Sequence, residues 1–234
     1  MDDQDQRIAR ATEQTFIVRA PKQALATFGS TSIRYYLVAE PVYQEFDPRP
    51  DASEAVVREG VVRAERPQVV TPYYLSRHEG FGENAERFLR RLMQSVGPDA
   101  PGLLYTYKNE GMDTAIVTGT VQEVSSRIAE RLDKEQRGLE AVIRGPGDLW
   151  DVSLMQFIYE LTSNSVRSNV SEMHSSGLLS MDNGVPRDAR VRIERMLEEA
   201  RLGNASASDV HRELERWGLF EEYQDRFLAL FRNR

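Results

Sequence analysis

The chain contains no cysteine, which removes a disulfide framework, Cys-ligated zinc and a thiol nucleophile. A reducing, cytoplasmic setting is expected from that composition. Histidine is scarce as well, with three in 234 residues, so imidazole chemistry and metal ligation have few places to occur. No apolar run approaches the ~18–20 residues that cross a bilayer, and the acidic start from Met1 to Arg7 is unlike a secretory leader. A formal net charge of −7 lacks the positive surplus on which sequence-independent binding to nucleic acid or anionic lipid depends. No membrane association is expected. Phosphate-loop, dinucleotide, nucleophile-elbow and zinc-protease signatures are all missing. The balance points away from an enzyme, and neither a cofactor nor a metal is expected.

What is present suffices for a core: 40% hydrophobic and 29% charged residues are ordinary for a globular chain. Residues 1–12 read as a flexible polar lead-in. Thr15 to Val18 and Ser32 to Val38 are β-branched and aromatic runs separated by Gly29, Ser30 and Thr31, and read as strands. Glu45 to Asp51, with Pro48 and Pro50, reads as a loop in which Asp47 and Asp51 are solvated. Val56-Val57, Val61-Val62 and Val69-Val70 suggest short strands punctuated by Gly60 and Pro67. A small antiparallel sheet or partial barrel would hold them.

An amphipathic helix is expected over 84–96, with Ala85, Phe88, Leu89, Leu92, Met93 and Val96 as its apolar stripe and Gly97-Pro98 as its stop. Strands at 103–108 and 114–118 flank Asn109-Glu110-Gly111, a hairpin signal. Thr120-Val121-Gln122-Glu123 is a capping box opening a helix that Gly138 is expected to close. Residues 139–143 then read as a strand. The β-β-α-β order at 103–143 favours an α+β layer with a helix on one face. From Asp148 onward every periodicity is helical.

The expected architecture is therefore α+β: a β-rich N-terminal segment and a β-β-α-β layer, then a helical C-terminal bundle. Its expected divisions are the lead-in at 1–12, a mixed domain at 13–146 and a helical domain at 147–234. Between Leu161 and Leu179, a polar stretch precedes apolar Val166, Val170 and Met173, then Gly177-Leu178-Leu179. This spacing resembles helix-turn-helix and winged-helix modules, with Asp182-Asn183-Gly184 at a wing tip. That resemblance implies nucleic-acid contacts from Arg167 and Asn169. The charge opposes it, because Glu172 offsets Arg167 and phosphate contacts need several cations.

Three other groups could carry function. In the turn Arg144-Gly145-Pro146-Gly147-Asp148, the glycines and Arg144 could hold a phosphate at a helix N-terminus, although Asp148 is placed to cap that same end. The segment Tyr73-Tyr74-Leu75-Ser76-Arg77-His78-Glu79-Gly80-Phe81-Gly82 could line a ligand pocket with His78 as acid or base; its plainer reading is a loop packed by its tyrosines, with Phe81 stapling the next helix. Trp217, Phe220, Tyr223, Phe227 and Phe231 recur at spacings of three and four and form one face of the last helix, whose early Glu221, Glu222 and Asp225 and late Arg232 and Arg234 suit its dipole. That aromatic face docks on its own domain or on a partner. His211 and Glu215, near Asp209, share a helical face and most simply belong to a charged surface. The function expected is a non-catalytic interaction or regulatory module that binds another protein or itself. The alternatives are a nucleic-acid-binding regulator, and a ligand binder or enzyme using His78 and Arg144.

Overall fold

The computed structural model describes residues 3–42, 53–78 and 82–231. The expected loop at 45–51 lies outside them, as do Glu79, Gly80, Phe81, Arg232 and Arg234. The chain begins with α1 (Asp3–Glu13), β1 (Phe16–Arg19), β2 (Thr31–Ala39) and β3 (Glu54–Ala64). It continues through β4 (Gln68–Val70), α2 (Pro72–Ser76), α3 (Glu83–Val96) and β5 (Gly102–Leu104). Next come β6 (Tyr107–Thr118), α4 (Val121–Lys134), β7 (Glu140–Arg144) and α5 (Trp150–Ser175). The last elements are β8 (Met181–Asp182), β9 (Val185–Pro186), α6 (Arg187–Arg201), α7 (Ala207–Trp217) and α8 (Phe220–Ala229). The fold is mixed α+β, with a C-terminal helical cluster. Among the described residues no helix is long and apolar enough to cross a membrane.

Two compact units form, and they do not follow the expected boundary at 146/147. One comprises Met1–Arg66 with Tyr105–Asn169, the other Pro67–Leu104 with Val170–Arg234. The reason is packing: most of α5 belongs with the sheet, while β4, α2 and α3 belong with the last helices.

In the first unit a five-stranded sheet runs in the order β1-β7-β2-β3-β6. The β2–β7 pair is parallel and the other pairs are antiparallel. Strand alternation sends Ile33, Tyr35, Leu37 and Ala39 of β2 into one core with Leu154, Phe157, Ile158 and Leu161 of α5. Tyr36 and Val38 enter a second core with Val124 and Leu132 of α4. Covered on both faces, β2 reads as a nearly continuous apolar run. Each such Leu, Ile or Phe side chain contributes about 1.5–3 kcal/mol when fully buried.

The capping box at Thr120 forms as read: the Glu123 amide donates to Thr120 Oγ1 and the Thr120 amide to Glu123 Oε2. The other end of α4 differs. Gln136, at φ 55°, takes the left-handed position expected of Gly138, and the Arg137 amide donates to Leu132 O. Arg19 is buried against this turn and donates to Asp133 and to the carbonyls of Arg137 and Glu140. Lys22 and Arg19 together hold the Asp133 carboxyl below the usual carboxylate range.

Other expectations are corrected. Residues 3–13 are helix rather than an unstructured lead-in: Asp3 and Asp5 suit the first turn, Arg10 the last, and Ala11 is buried. Gly60 does not divide two short strands, since β3 runs unbroken for 11 residues. No hairpin turn forms at Asn109-Glu110-Gly111 either. Gly60 pairs with Met112 and Val61 with Glu110, so Gly111, at φ 60°, is the extra residue of a β-bulge. The bulge also explains Gly60, where an added Cβ would stand 2.5 Å from Tyr35 Oη and 2.7 Å from Gly111 O. The polar stretch at 162–165 is no turn: α5 is one helix of 26 residues. Its hydroxyls bond back within the helix, Thr162 donating to Ile158 O at 2.6 Å and Ser165 to Leu161 O at 2.7 Å, and also meet the Tyr107 hydroxyl and the Leu25 amide. The helix-turn-helix spacing is therefore not realised there.

In the second unit, β4 pairs with β5 and β8 with β9. Helices α6, α7 and α8 close over a core that includes Ile193, Leu197, Leu214 and Trp217. Asn183 and Gly184 turn the β8–β9 hairpin, both with positive φ.

Candidate functional site

Because β2 and β7 are parallel, the segments leaving them emerge at one end of the sheet, with Val38 in register with Arg144. Glu40, Pro41 and Val42 follow one strand, the Gly145-Pro146-Gly147-Asp148 turn follows the other, and Thr120 to Gln122 meet them. The result is a cleft of about 530 Å³ in the first unit. Carboxyl ends of parallel strands are a common place for ligands. The chemistry of this cleft is largely satisfied internally, however. Arg144 donates to Gln122 Oε1 and lies 5.3 Å from the Phe16 ring centroid. Asp148, expected to cap α5, accepts from Arg7 at 2.9 Å, and the Val152 and Ser153 amides in the first turn of α5 donate to Leu149 O. The glycines answer the protein's own packing. A Cβ at Gly147 would sit 2.6 Å from Glu40 O, and one at Gly145 would overlap Ser153 Oγ. The anion cradle expected of this turn therefore has its glycines otherwise explained, while Arg144 is bonded to Gln122 through one nitrogen and keeps its Nε buried without a hydrogen-bond partner.

The second group, Tyr73 to His78, belongs to the other unit, so the two halves of the expected His78–Arg144 site line separate clefts. Thr71 Oγ1 caps α2 by accepting from the Tyr74 amide at 3.2 Å, and Pro72 opens the helix. Tyr74 is buried. Its hydroxyl donates to Glu213 Oε2 at 3.1 Å, and its ring stacks on Trp217 with centroids 4.5 Å apart. Burial first, then the Glu213 charge, pushes the Tyr74 phenol above its ordinary range. His78 meets that ring edge-on, its Nδ1 3.3 Å from Tyr74 O, while Arg77 lies 5.4 Å from the Tyr73 ring centroid. A cavity of about 320 Å³ opens here, lined by Arg77, His78, Arg212, Glu215 and Arg216. The local sequence revealed only the α2 side. Arg212 and Arg216 share a face of α7 at i, i+4, a pattern that an ordinary solvated helix also has.

The nucleic-acid candidates separate. Arg167 is exposed, but Asn169 is fully buried. Its Nδ2 donates to Leu25 O and Thr27 Oγ1 at 2.8 Å each, and its Oδ1 accepts from Tyr105 at 2.7 Å. It is a structural bracket and cannot reach a base edge. The aromatic series does not lie on one helix and is mostly core: Trp217 ends α7, and it is buried in its own unit with Tyr223 and Phe227 of α8, Phe220 is half-buried, and Phe231, past α8, is 51% exposed. His211 lies against Phe220 and Phe227, at centroid distances of 5.0 and 5.6 Å.

Among the described residues, α3 carries an apolar face that is left uncovered. Its 14 residues are strongly amphipathic, yet none is buried. Phe88 is 63% and Val96 54% exposed, with Ala85, Leu89, Leu92 and Met93 half-covered. Arg87 pairs with Glu83 at 3.6 Å and Arg90 with Glu86 at 3.8 Å. Sequence periodicity drew this stripe correctly but gave no sign that its own unit leaves it open.

Comparison with family models, with curated proteins and with solved structures returns no match for this chain.

Proposed function

We propose that the chain is a non-catalytic protein-interaction module whose docking element is α3. The observation that carries this reading is the uncovered stripe, with Phe88 and Val96 at its exposed positions. Ala85, Leu89, Leu92 and Val96 recur at steps of four, three and four, the spacing by which one helix packs along another. Phe88 and Met93 widen the seam, and the helix offers about 21 Å of contact length. An aromatic such as Phe88 in the middle of an apolar patch is the usual anchor of an interface.

The rim decides the occupant. Arg87, Arg90 and Arg91 flank the stripe against Glu83 and Glu86, so the helix is net positive in a chain of net charge −7. Two α3 helices face to face would oppose their own arginines, whereas an apolar helix of another protein with an acidic rim would match them. A membrane surface fits less well, because two glutamates accompany the three arginines. The absence of cysteine supports a reducing, cytoplasmic setting for such a module. Full-length protein carrying a photo-reactive residue at 88, 92 or 94 tests the reading in cells. Adducts to one protein from 88 and 92, but not from 94 on the opposite side of α3, are expected. Adducts only to a second copy, equal adducts from 94, or firm binding of purified protein to anionic vesicles would overturn it.

A further inference from the structure

We infer that the Arg77–Arg216 cavity of the second unit is a binding site for a small diphosphate-bearing ligand. Guanidinium groups enter it from two elements: Arg77 at the C-terminal cap of α2, and Arg212 and Arg216 one turn apart on α7. Planar guanidinium forks match phosphate oxygens, and their charge persists at every physiological pH. Arg77 lies over the face of Tyr73, and Arg216 lines the same cavity from α7. Neither forms an ion pair among the described residues. Arg212 is partly offset by Asp209 at 2.6 Å.

The floor is rigid, because Tyr74 is held by Glu213 and stacked on Trp217, and His78 is tied back to Tyr74 O. The Tyr74 carbonyl facing Nδ1 can only accept, so Nδ1 carries a proton. Glu215 is the one carboxylate lining the cavity. Its presence selects against a weakly charged anion, since a ligand must outweigh it. At about 320 Å³ the cavity has room for more than one phosphoryl group. Two phosphoryl groups bridging Arg77 and the Arg212–Arg216 pair satisfy both conditions.

Titration calorimetry of the full chain with inorganic pyrophosphate at low salt tests this. Saturable one-to-one binding is expected, weakened at least tenfold in Arg77→Ala/Arg216→Ala and tightened several-fold in Glu215→Gln. Arg195→Ala, an exposed change on α6, serves as the surface-charge control and leaves affinity unchanged. Since Glu215→Gln removes no packing, its tightening cannot arise from damaged folding. Absence of saturable binding, equal affinity in the double variant, or equal weakening by Arg195→Ala would each overturn the assignment.

Discussion

Tyr74 and Glu213, 139 positions apart in the chain, meet at 3.1 Å, the phenol donating to a buried carboxylate. The same carboxylate accepts from Trp217 Nε1 at 3.0 Å and from buried Arg192, which also faces Asp188 at 3.6 Å. Asp188 in turn accepts from the Val69 amide at 2.9 Å. One polar cluster thereby ties β4, α2, α6 and α7 together inside an otherwise apolar core. Removing one partner from such a cluster leaves the others charged and buried. Glu213→Ala is expected to cost about 3–5 kcal/mol, and Tyr74→Phe about 1.5–3 kcal/mol for one hydrogen bond to a charged group. Urea unfolding followed by circular dichroism measures both. A Glu213→Ala loss under about 1 kcal/mol would show that the cluster contributes little.

Asn169 predicts an effect on stability rather than on nucleic-acid binding. Three hydrogen bonds converge on its side chain, and truncation strands the Leu25 carbonyl and the Tyr105 hydroxyl. Asn169→Ala should cost about 2–4 kcal/mol, on the order of 1–3 kcal/mol per stranded buried group. Arg167→Ala, exposed on the same helix, should stay within about 0.5 kcal/mol of wild type. Equal melting temperatures for the two variants would contradict this assignment.

The alkaline limb of stability should carry the signature of Tyr105. Burial, with a smaller contribution from Tyr107, pushes its phenol up to about 12, against an unfolded value near ~10. Between these values the unfolded chain has released the proton and the folded chain still holds it, so raising the pH favours unfolding. The stabilisation is complete below about pH 10 and is lost as the pH climbs toward about 12. Stability measured from pH 8 upward should fall across that window, and Tyr105→Phe should flatten the fall. An unchanged slope in Tyr105→Phe would assign the effect to other groups.

Local chemistry was legible where a few adjacent residues settle the outcome. The Thr120–Glu123 capping box and the alternation along β2 needed no tertiary information. Elsewhere one residue type serves two purposes. Asn109-Glu110-Gly111 looks like a turn because glycine permits positive φ, and Gly111 does adopt it, but as a bulge opposite Gly60 within a continuous pair. The polar run at 162–165 looks like a helix break because hydroxyl side chains compete for backbone groups, yet here they bond within α5 or to the segment before β2, as Ser165 does with the Leu25 amide. Of the candidate sites, Arg77 and His78 were visible, whereas Arg212 and Arg216 lie far along the chain and meet them only through the fold. The aromatic series from Trp217 to Phe227 was expected to dock on its own domain or on a partner, and it takes the first course. It fills its own unit, whereas the stripe of α3 is uncovered.

The interaction account rests on Phe88. Once the protein that cross-links to α3 is purified, its affinity for the full chain and for Phe88→Ala decides the matter by calorimetry. Truncating an anchoring aromatic should weaken binding at least tenfold, a loss of about 1.4 kcal/mol or more, while the melting temperature of the free chain stays unchanged because Phe88 is already exposed. Equal affinities for the two proteins would contradict α3 as the docking element.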